Sequence, residues 1–306
     1  MNQQTAAQTA ERIGAQSTLR GLVRTARPKQ WLKNVLVFAA PGAAGLLDSG
    51  RELGLTLLVF VAFCLAASGT YFWNDVLDID ADRAHPTKRR RPIAAGVVSP
   101  TVGRVAGVAL LVASLGVAAL TGRWQTVAIV AVYIVTTLAY SIWLKHVAVV
   151  DLIAIASGFV LRAAAGAVAV DVPMSSWFVL CITFGSLFIV TGKRYAELNE
   201  LGDGAQVSRA TLGSYSLGYL RMVLAVSCGA AILSYCVWAF ENKDLSGTDL
   251  PFYELSIVPV LTAFLRYALV LEQGHGAAPE EVFASDRVLQ LLGLSWIVIY
   301  GAAVYL

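Results

Sequence analysis

The chain has 306 residues, 57% of them hydrophobic and only 14% charged, with a mean hydropathy of +0.67 and a formal net charge of +3. Values this far from those of water-soluble domains exclude an ordinary soluble globule and leave an integral membrane protein. The ten-residue alternation of a membrane β-barrel is absent, so the spans are expected as helices, which satisfy their backbone polar groups within each segment.

Residues 1–18 are polar and rich in Gln and Ala, without the apolar core of a secretory signal, and read as a cytoplasmic tail. The domain division that follows is a tail over 1–26 and a membrane domain over 27–306. Nine apolar stretches, each near the ~20 residues needed to cross ~30 Å of hydrocarbon, then fall at 30–48, 53–74, 99–121, 124–144, 148–170, 175–193, 215–240, 254–272 and 286–306. The expected fold is an all-α integral membrane protein of nine transmembrane helices.

Minor features have bland readings. Cys64, Cys181, Cys228 and Cys236 all lie in apolar stretches and are expected as free thiols; Cys228 and Cys236 stand ~12 Å apart along one helix, too far for a disulfide. His85, His146 and His275 show no ligand spacing. Trp31, Trp73 and Trp177 read as interface anchors, and Gly103 with Gly107 as a weak sign of close helix contact.

The distribution of Lys and Arg among short loops sets the orientation. One side collects Arg12, Arg20, Arg24, Arg27, Lys29 and Lys33, then Arg83, Lys88 to Arg91 and Arg104, then Lys145, then Lys193, Arg194 and Arg209. The other holds Arg51, Arg123 and Lys243 among Asp48, Glu52, Asp171, Glu241, Asp244 and Asp249. The N-terminus and every charge-dense loop are therefore expected on the cytoplasmic side of a cell membrane, with the C-terminus outside.

The densest of these loops reads NDVLDIDADRAHPTKRRRP, residues 74–92. At ~100° per residue, Asp75, Asp78 and Asp82 project within a narrow arc flanked by Asn74, with Asp80 on the other side. Three carboxylates so placed repel one another unless a cation lies between them, and hard oxygen ligands open to water suit Mg²⁺ completed by phosphate. Lys88 and Arg91 follow in the same loop and would take the remaining phosphate charge. GKRYAELNE, residues 192–200, brings Lys193, Arg194, Tyr195 and Glu197 to the same face, although Lys193 and Glu197 could simply pair at i, i+4. Arg162 lies within an apolar stretch, where a charge is costly, and is expected to line a polar cavity or pair with an aspartate. Tyr140 and Lys145 could reach the same chamber, with snorkelling an equal alternative for Lys145.

NDVLDIDADRAHPTKRRRPIAAG resembles the NDxxDxxxD motif and following RPxxxG of the UbiA superfamily of intramembrane prenyltransferases, and RPKQWLKN (27–34), AYSIWLKH (139–146) and LRAAAG (161–166) extend the resemblance over nearly the whole chain. It implies nine helices around a central cavity capped by cytoplasmic loops. Ordinary members carry a second aspartate-rich motif in the sixth loop, binding two Mg²⁺ and an isoprenyl diphosphate; here GKRYAEL stands in its place. HPTKRRRPIAAG, LKHVAVV, FGSLFIVTGKRYAEL and DRVLQLL are similar to a branch that transfers 5-phosphoribose from 5-phosphoribosyl diphosphate (PRPP) to decaprenyl phosphate, for cell-wall arabinan synthesis. That resemblance implies Mg²⁺ on Asp75, Asp78 and Asp82 with Asn74 in support. It also implies Asp78, Asp82 and Lys193 as catalytic groups, and Lys33, Lys88, Arg91, Lys145, Arg162 and Arg194 as phosphate contacts. The lipid tail is expected in an apolar groove between helices that the sequence does not identify.

Two rivals stand beside this reading: a prenyltransferase acting on an aromatic or other small acceptor, and a transporter, whose charges should be spread along a path across the bilayer. Nothing in the pattern points to nucleic acid, and a homo-oligomer is left open.

Overall fold

The computed structural model describes residues 17–201, 211–243, 250–274, 276 and 278–306. Arg12, Arg209, Asp244, Asp249, His275 and the tail up to residue 16 lie outside the described residues. All regular structure among the described residues is helical. In chain order it comprises α1 (17–26), a 3-10 helix Pro28–Phe38 leading into α2 (Ala39–Ala43), α3 (Gly50–Leu77), α4 (Ile79–Ala84), α5 (Pro100–Ala119), α6 (Trp124–Ile142) and α7 (Val150–Ala169). The rest are α8 (Ser176–Leu201), α9 (Leu217–Asn242), α10 (Phe252–Leu255), α11 (Ile257–Glu272), α12 (Pro279–Ser285) and α13 (Arg287–Tyr305), with single 3-10 turns at Lys88–Arg90, Leu144–His146 and Leu212–Ser214 in the loops.

Among the described residues, 8 helices are long and apolar enough to cross a bilayer, α10 and α11 together forming one of them. The first expected span, an α-helix over 30–48, is instead 11 residues of 3-10 helix followed by 5 of α-helix. A 3-10 helix rises ~2.0 Å per residue against 1.5 Å, so this shorter segment still extends ~30 Å, long enough for a ninth crossing. It stops early because Gly45 turns the chain at φ 68. Tight winding also brings its backbone onto α7: a Cβ added at Gly166 would lie 1.9 Å from the Val37 carbonyl oxygen, so only glycine fits there.

The pair α3 and α5 packs as closely. A Cβ at Gly107 would meet Trp73 Cδ1 at 2.9 Å, which makes the weak glycine signal a real contact between these two helices. Trp31, half-buried, donates its Nε1 to Ser68 Oγ at 3.1 Å. Ahead of the first segment, α1 lays Leu22 and Ala26 against Phe72, Ile93 and Val98. One apolar cluster joins the first segment to α3, α6 and α7 through Val37, Phe63, Val130 and Tyr133. A second joins α7, α8, α9 and α11 through Leu152, Phe188, Tyr195 and Leu271. Between these two clusters the helices part, and the polar side chains of both halves meet in the gap. All four cysteines are free.

Candidate active site

The gap is a cavity of about 540 Å³ walled by the first segment, α3, α6, α7, α8 and α12. Seven cationic side chains line it (Arg27, Lys29, Lys33, Arg91, Arg162, Lys193 and Arg194) against one lining carboxylate, Glu280, and three of the seven, Arg27, Arg91 and Arg194, are paired with carboxylates behind the wall. The wall that faces the chamber is therefore cationic, a surface that suits an anion.

The aspartates stand behind this cationic wall. α3 ends at Leu77, Asp78 forms the joint, and α4 carries Asp82. Asp75, 1% exposed, accepts from Arg27 and, at 3.2 Å, from Arg91 Nη1. The same Arg91 nitrogen donates to Asp82 Oδ2 at 2.7 Å, so it bridges two buried carboxylates. Asp78 instead accepts from Lys145 Nζ at 2.7 Å, tying the fourth loop to this cap. The expected convergence of three carboxylates is therefore replaced by two around one cation. Among the described residues no three His, Cys, Asp or Glu side chains gather in a metal cage. The donor set still fits one hard divalent ion, because Asp75 and Asp82 converge on a single positively charged position and Mg²⁺ takes only one or two carboxylates. Asp80 points away and is exposed, as its helical phase requires.

Arg27 was visible in RPKQWLKN but not recognised as a site residue. The proline after it disfavours the right-handed helical region, and Arg27 adopts φ 53 at the break between α1 and the 3-10 helix. This aims its guanidinium at Asp75 and holds it 4.6 Å over the Tyr71 ring. Backbone strain of this kind costs ~1–3 kcal/mol and persists only where surroundings enforce it.

Arg162 lines the cavity rather than pairing with an aspartate. Its Nε donates to Asn34 Oδ1 at 2.7 Å, Nη1 to the Gly158 carbonyl at 2.6 Å and Nη2 to Tyr133 Oη at 3.0 Å. All three partners are neutral, so the charge stays available to an anion. Asn34 stands at the end of RPKQWLKN and Tyr133 in an apolar stretch, and no local pattern singles out either one. Lys33 donates to Gln30 Oε1 at 2.6 Å and lies 3.8 Å from Glu280. Burial alone would raise the Glu280 pKa, but a hydrogen bond from Gln30 and the charges of Lys33 and Lys193 outweigh it and hold the carboxyl below its ordinary range.

On α8, Lys193 and Arg194 face the cavity. Tyr195 does not: a further ~100° of turn carries it into the core, where its hydroxyl accepts from Arg221 at 2.9 Å. Glu197 accepts from Arg194 Nη1 at 2.9 Å, Arg194 Nε donates to Asp151 at 3.2 Å, and Arg194 Nη2 donates to Tyr140 Oη at 3.2 Å. Asp151 in turn accepts from the Tyr215 hydroxyl, which itself accepts the amide of Val149. Thr211 Oγ1 donates to the Lys145 carbonyl at 3.0 Å, completing a clasp on the loop that carries Lys145. Lys88 and Lys145 belong to the cap and not to the cavity wall, while Asn74 and Tyr140 line it.

The sequence profile of the UbiA prenyltransferase family matches residues 35–295. The chain belongs to that family. This UbiA family member is 45% identical over 302 residues to the decaprenyl-phosphate phosphoribosyltransferase of Mycolicibacterium smegmatis, covering 93% of this chain and 92% of that one. It is 44% identical to the protein of that name from Mycobacterium tuberculosis, over 93% of this chain and 94% of the other. Among solved structures, a UbiA homolog from Archaeoglobus fulgidus bound to GPP and Mg²⁺ superposes with a TM-score of 0.69 at 17% identity, covering 94% of this chain and all of that one. The UbiA fold thus provides a multi-pass membrane bundle with its charges collected in one chamber, unlike the distributed path of a transporter.

Proposed function

We propose that this UbiA family member transfers 5-phosphoribose from PRPP to decaprenyl phosphate or a close polyprenyl phosphate, releasing diphosphate. The observation that carries the reading is the cavity wall itself, with seven cations and a single carboxylate. An isoprenyl diphosphate presents one anionic group, whereas PRPP presents a diphosphate and a 5-phosphate, and an acceptor phosphate adds a third. The relatives' name and extent of identity support the same assignment.

In this reading residues 27–306 form the transferase domain, and the cap and chamber face the cytoplasm, where PRPP is made. Mg²⁺, held by Asp75 and Asp82 with Asn74 and Asp78 beside them, would neutralise part of the diphosphate charge. Lys193 and Arg194, which line the chamber from α8, would hold the 5-phosphate. Arg194 acts as a rigid fork because Asp151 and Glu197 fix it. Arg27 and Arg91 shift from carboxylate to phosphate oxygens as the diphosphate arrives, and Lys33 with Arg162 holds the acceptor phosphate.

The bond from the anomeric carbon to the diphosphate oxygen breaks as an oxygen of the acceptor phosphate bonds to that carbon, and the cations stabilise the departing charge. A phosphate acceptor is already anionic, so no strong base is needed. Single displacement inverts the anomeric centre. A purified-protein assay decides the donor: turnover is expected with PRPP and a polyprenyl phosphate, while turnover with an isoprenyl diphosphate and an aromatic acceptor instead would reject the reading.

A further inference from the structure

Glu280 is the single carboxylate on a chamber wall that carries seven cations. A carboxylate there repels any phosphate that the cations attract, so its place in the wall calls for a ligand group of the opposite hydrogen-bonding kind. It enters on the first turn of α12, and its two oxygens are held differently. Oε1 accepts from Gln30 Nε2 at 2.7 Å, and Gln30 Oε1 accepts from Lys33 Nζ at 2.6 Å, so the first segment fixes how the carboxylate is turned. Oε2 is buried and has no hydrogen-bond partner among the described residues. Lys33 Nζ stands 3.8 Å from it, beyond hydrogen-bond reach.

A buried, ionised oxygen without a donor is costly, and that cost is removed when a ligand supplies one. Despite its burial, the bond from Gln30 and the charges of Lys33 and Lys193 keep Glu280 ionised at neutral pH, so it accepts and cannot donate. Those two cations disfavour a metal ion at this carboxylate, and no second carboxylate lines the chamber to share one. The group that suits Oε2 is therefore a neutral donor.

PRPP offers such a group. Its phosphate oxygens are acceptors, which the cations take, and the hydroxyls at positions 2 and 3 of its ribose are donors. We propose that Glu280 Oε2 accepts a hydrogen bond from a ribose hydroxyl of the donor, which makes Glu280 the residue that selects a hydroxylated sugar; the assignment rests on the reaction proposed above. In that reaction the ribose ring joins the 5-phosphate, assigned to Lys193, to the anomeric carbon, which the acceptor phosphate at Lys33 attacks. Glu280 lies within electrostatic reach of both lysines, as a residue that meets the ring between them must.

The test compares PRPP with its 2-deoxy and 3-deoxy analogues as donors to decaprenyl phosphate, in wild type and in Glu280→Ala. The quantity read is the ratio of kcat/KM for PRPP to that for each analogue. Differences in the intrinsic lability of the sugars are common to both proteins and cancel between them. From wild type to Glu280→Ala the ratio should fall ~10–100-fold for at least one analogue, the factor expected for a hydrogen bond to a charged group. If Glu280 only ties α12 to the first segment, the variant loses kcat/KM equally with all three donors; ratios unchanged for both analogues overturn the assignment. Wild-type protein alone gives an independent measurement. Ribose 5-phosphate should compete with PRPP about tenfold more tightly than 2-deoxyribose or 3-deoxyribose 5-phosphate does, and equal inhibition by all three also overturns it. Failure of the wild type to use PRPP defeats the reaction itself, whereas wild-type turnover with unchanged ratios in Glu280→Ala defeats only the role of Glu280.

Discussion

Tyr215→Phe removes one oxygen that holds two elements of the site. The Tyr215 hydroxyl donates to Asp151 Oδ1 and accepts the Val149 amide, each at 2.5 Å. Val149 sits at φ 70, a conformation that a β-branched residue adopts only under constraint. The variant leaves the Val149 amide unsatisfied and Asp151 short of one donor, at ~1–3 kcal/mol for each group. Release of the strain at Val149, ~1–3 kcal/mol, offsets part of this, leaving a net loss of about 2 kcal/mol. Burial first, then the bond to Asp151, raises the Tyr215 pKa, so the phenol remains a donor at every working pH. The functional effect passes through Lys145, whose carbonyl is held by Thr211 and whose ammonium holds Asp78. Melting in detergent should show the loss of stability, and the KM for PRPP should rise about tenfold. A double-mutant cycle decides the route: Tyr215→Phe should add little to Lys145→Ala, because both act on one loop. Fully additive effects, or wild-type melting and KM in the single variant, would refute the clasp.

Gly166→Leu should prevent the first segment from docking, since its side chain would enter the space of the Val37 carbonyl; loss of a monodisperse peak on size exclusion, with insertion retained, checks this. Asp82→Asn should lower kcat by ~10²–10³ without affecting insertion, because the carboxylate shared with Arg91 is lost. Lys193→Ala should chiefly raise the KM for PRPP, by about tenfold, with a smaller change in kcat. The tie from Glu280 to Gln30 has a defined pH dependence. Its folded pKa is depressed, so its contribution is present above the ordinary carboxylate range and is lost as pH falls through the lower folded value. The melting difference between wild type and Glu280→Gln should therefore be constant from neutral pH down to about pH 5 and vanish only in stronger acid.

The bundle was legible because apolar stretches of membrane length leave few alternatives, and the cap was legible because its charges are so dense. The 3-10 winding of the first segment was not, since apolar periodicity does not separate a tight helix from an ordinary one over so short a stretch. Lys193 and Arg194 were found, but Tyr195 was grouped with them because adjacency in sequence is not adjacency on a helix. Arg27, Asp151 and Glu280 were missed for a different reason. Each gains its role from a partner far along the chain, respectively Asp75, Arg194 and Gln30. Pairing over such separations leaves no local pattern to read.

The central claim is that this chamber holds a phosphoribosyl donor beside a lipid phosphate. Mass spectrometry of the lipid extracted after incubating purified protein with PRPP and decaprenyl phosphate, with and without Mg²⁺, tests it most directly. The account predicts a Mg²⁺-dependent decaprenyl phosphate heavier by one phosphoribosyl group. Unaltered decaprenyl phosphate under both conditions, from protein that is folded and monodisperse, would contradict it.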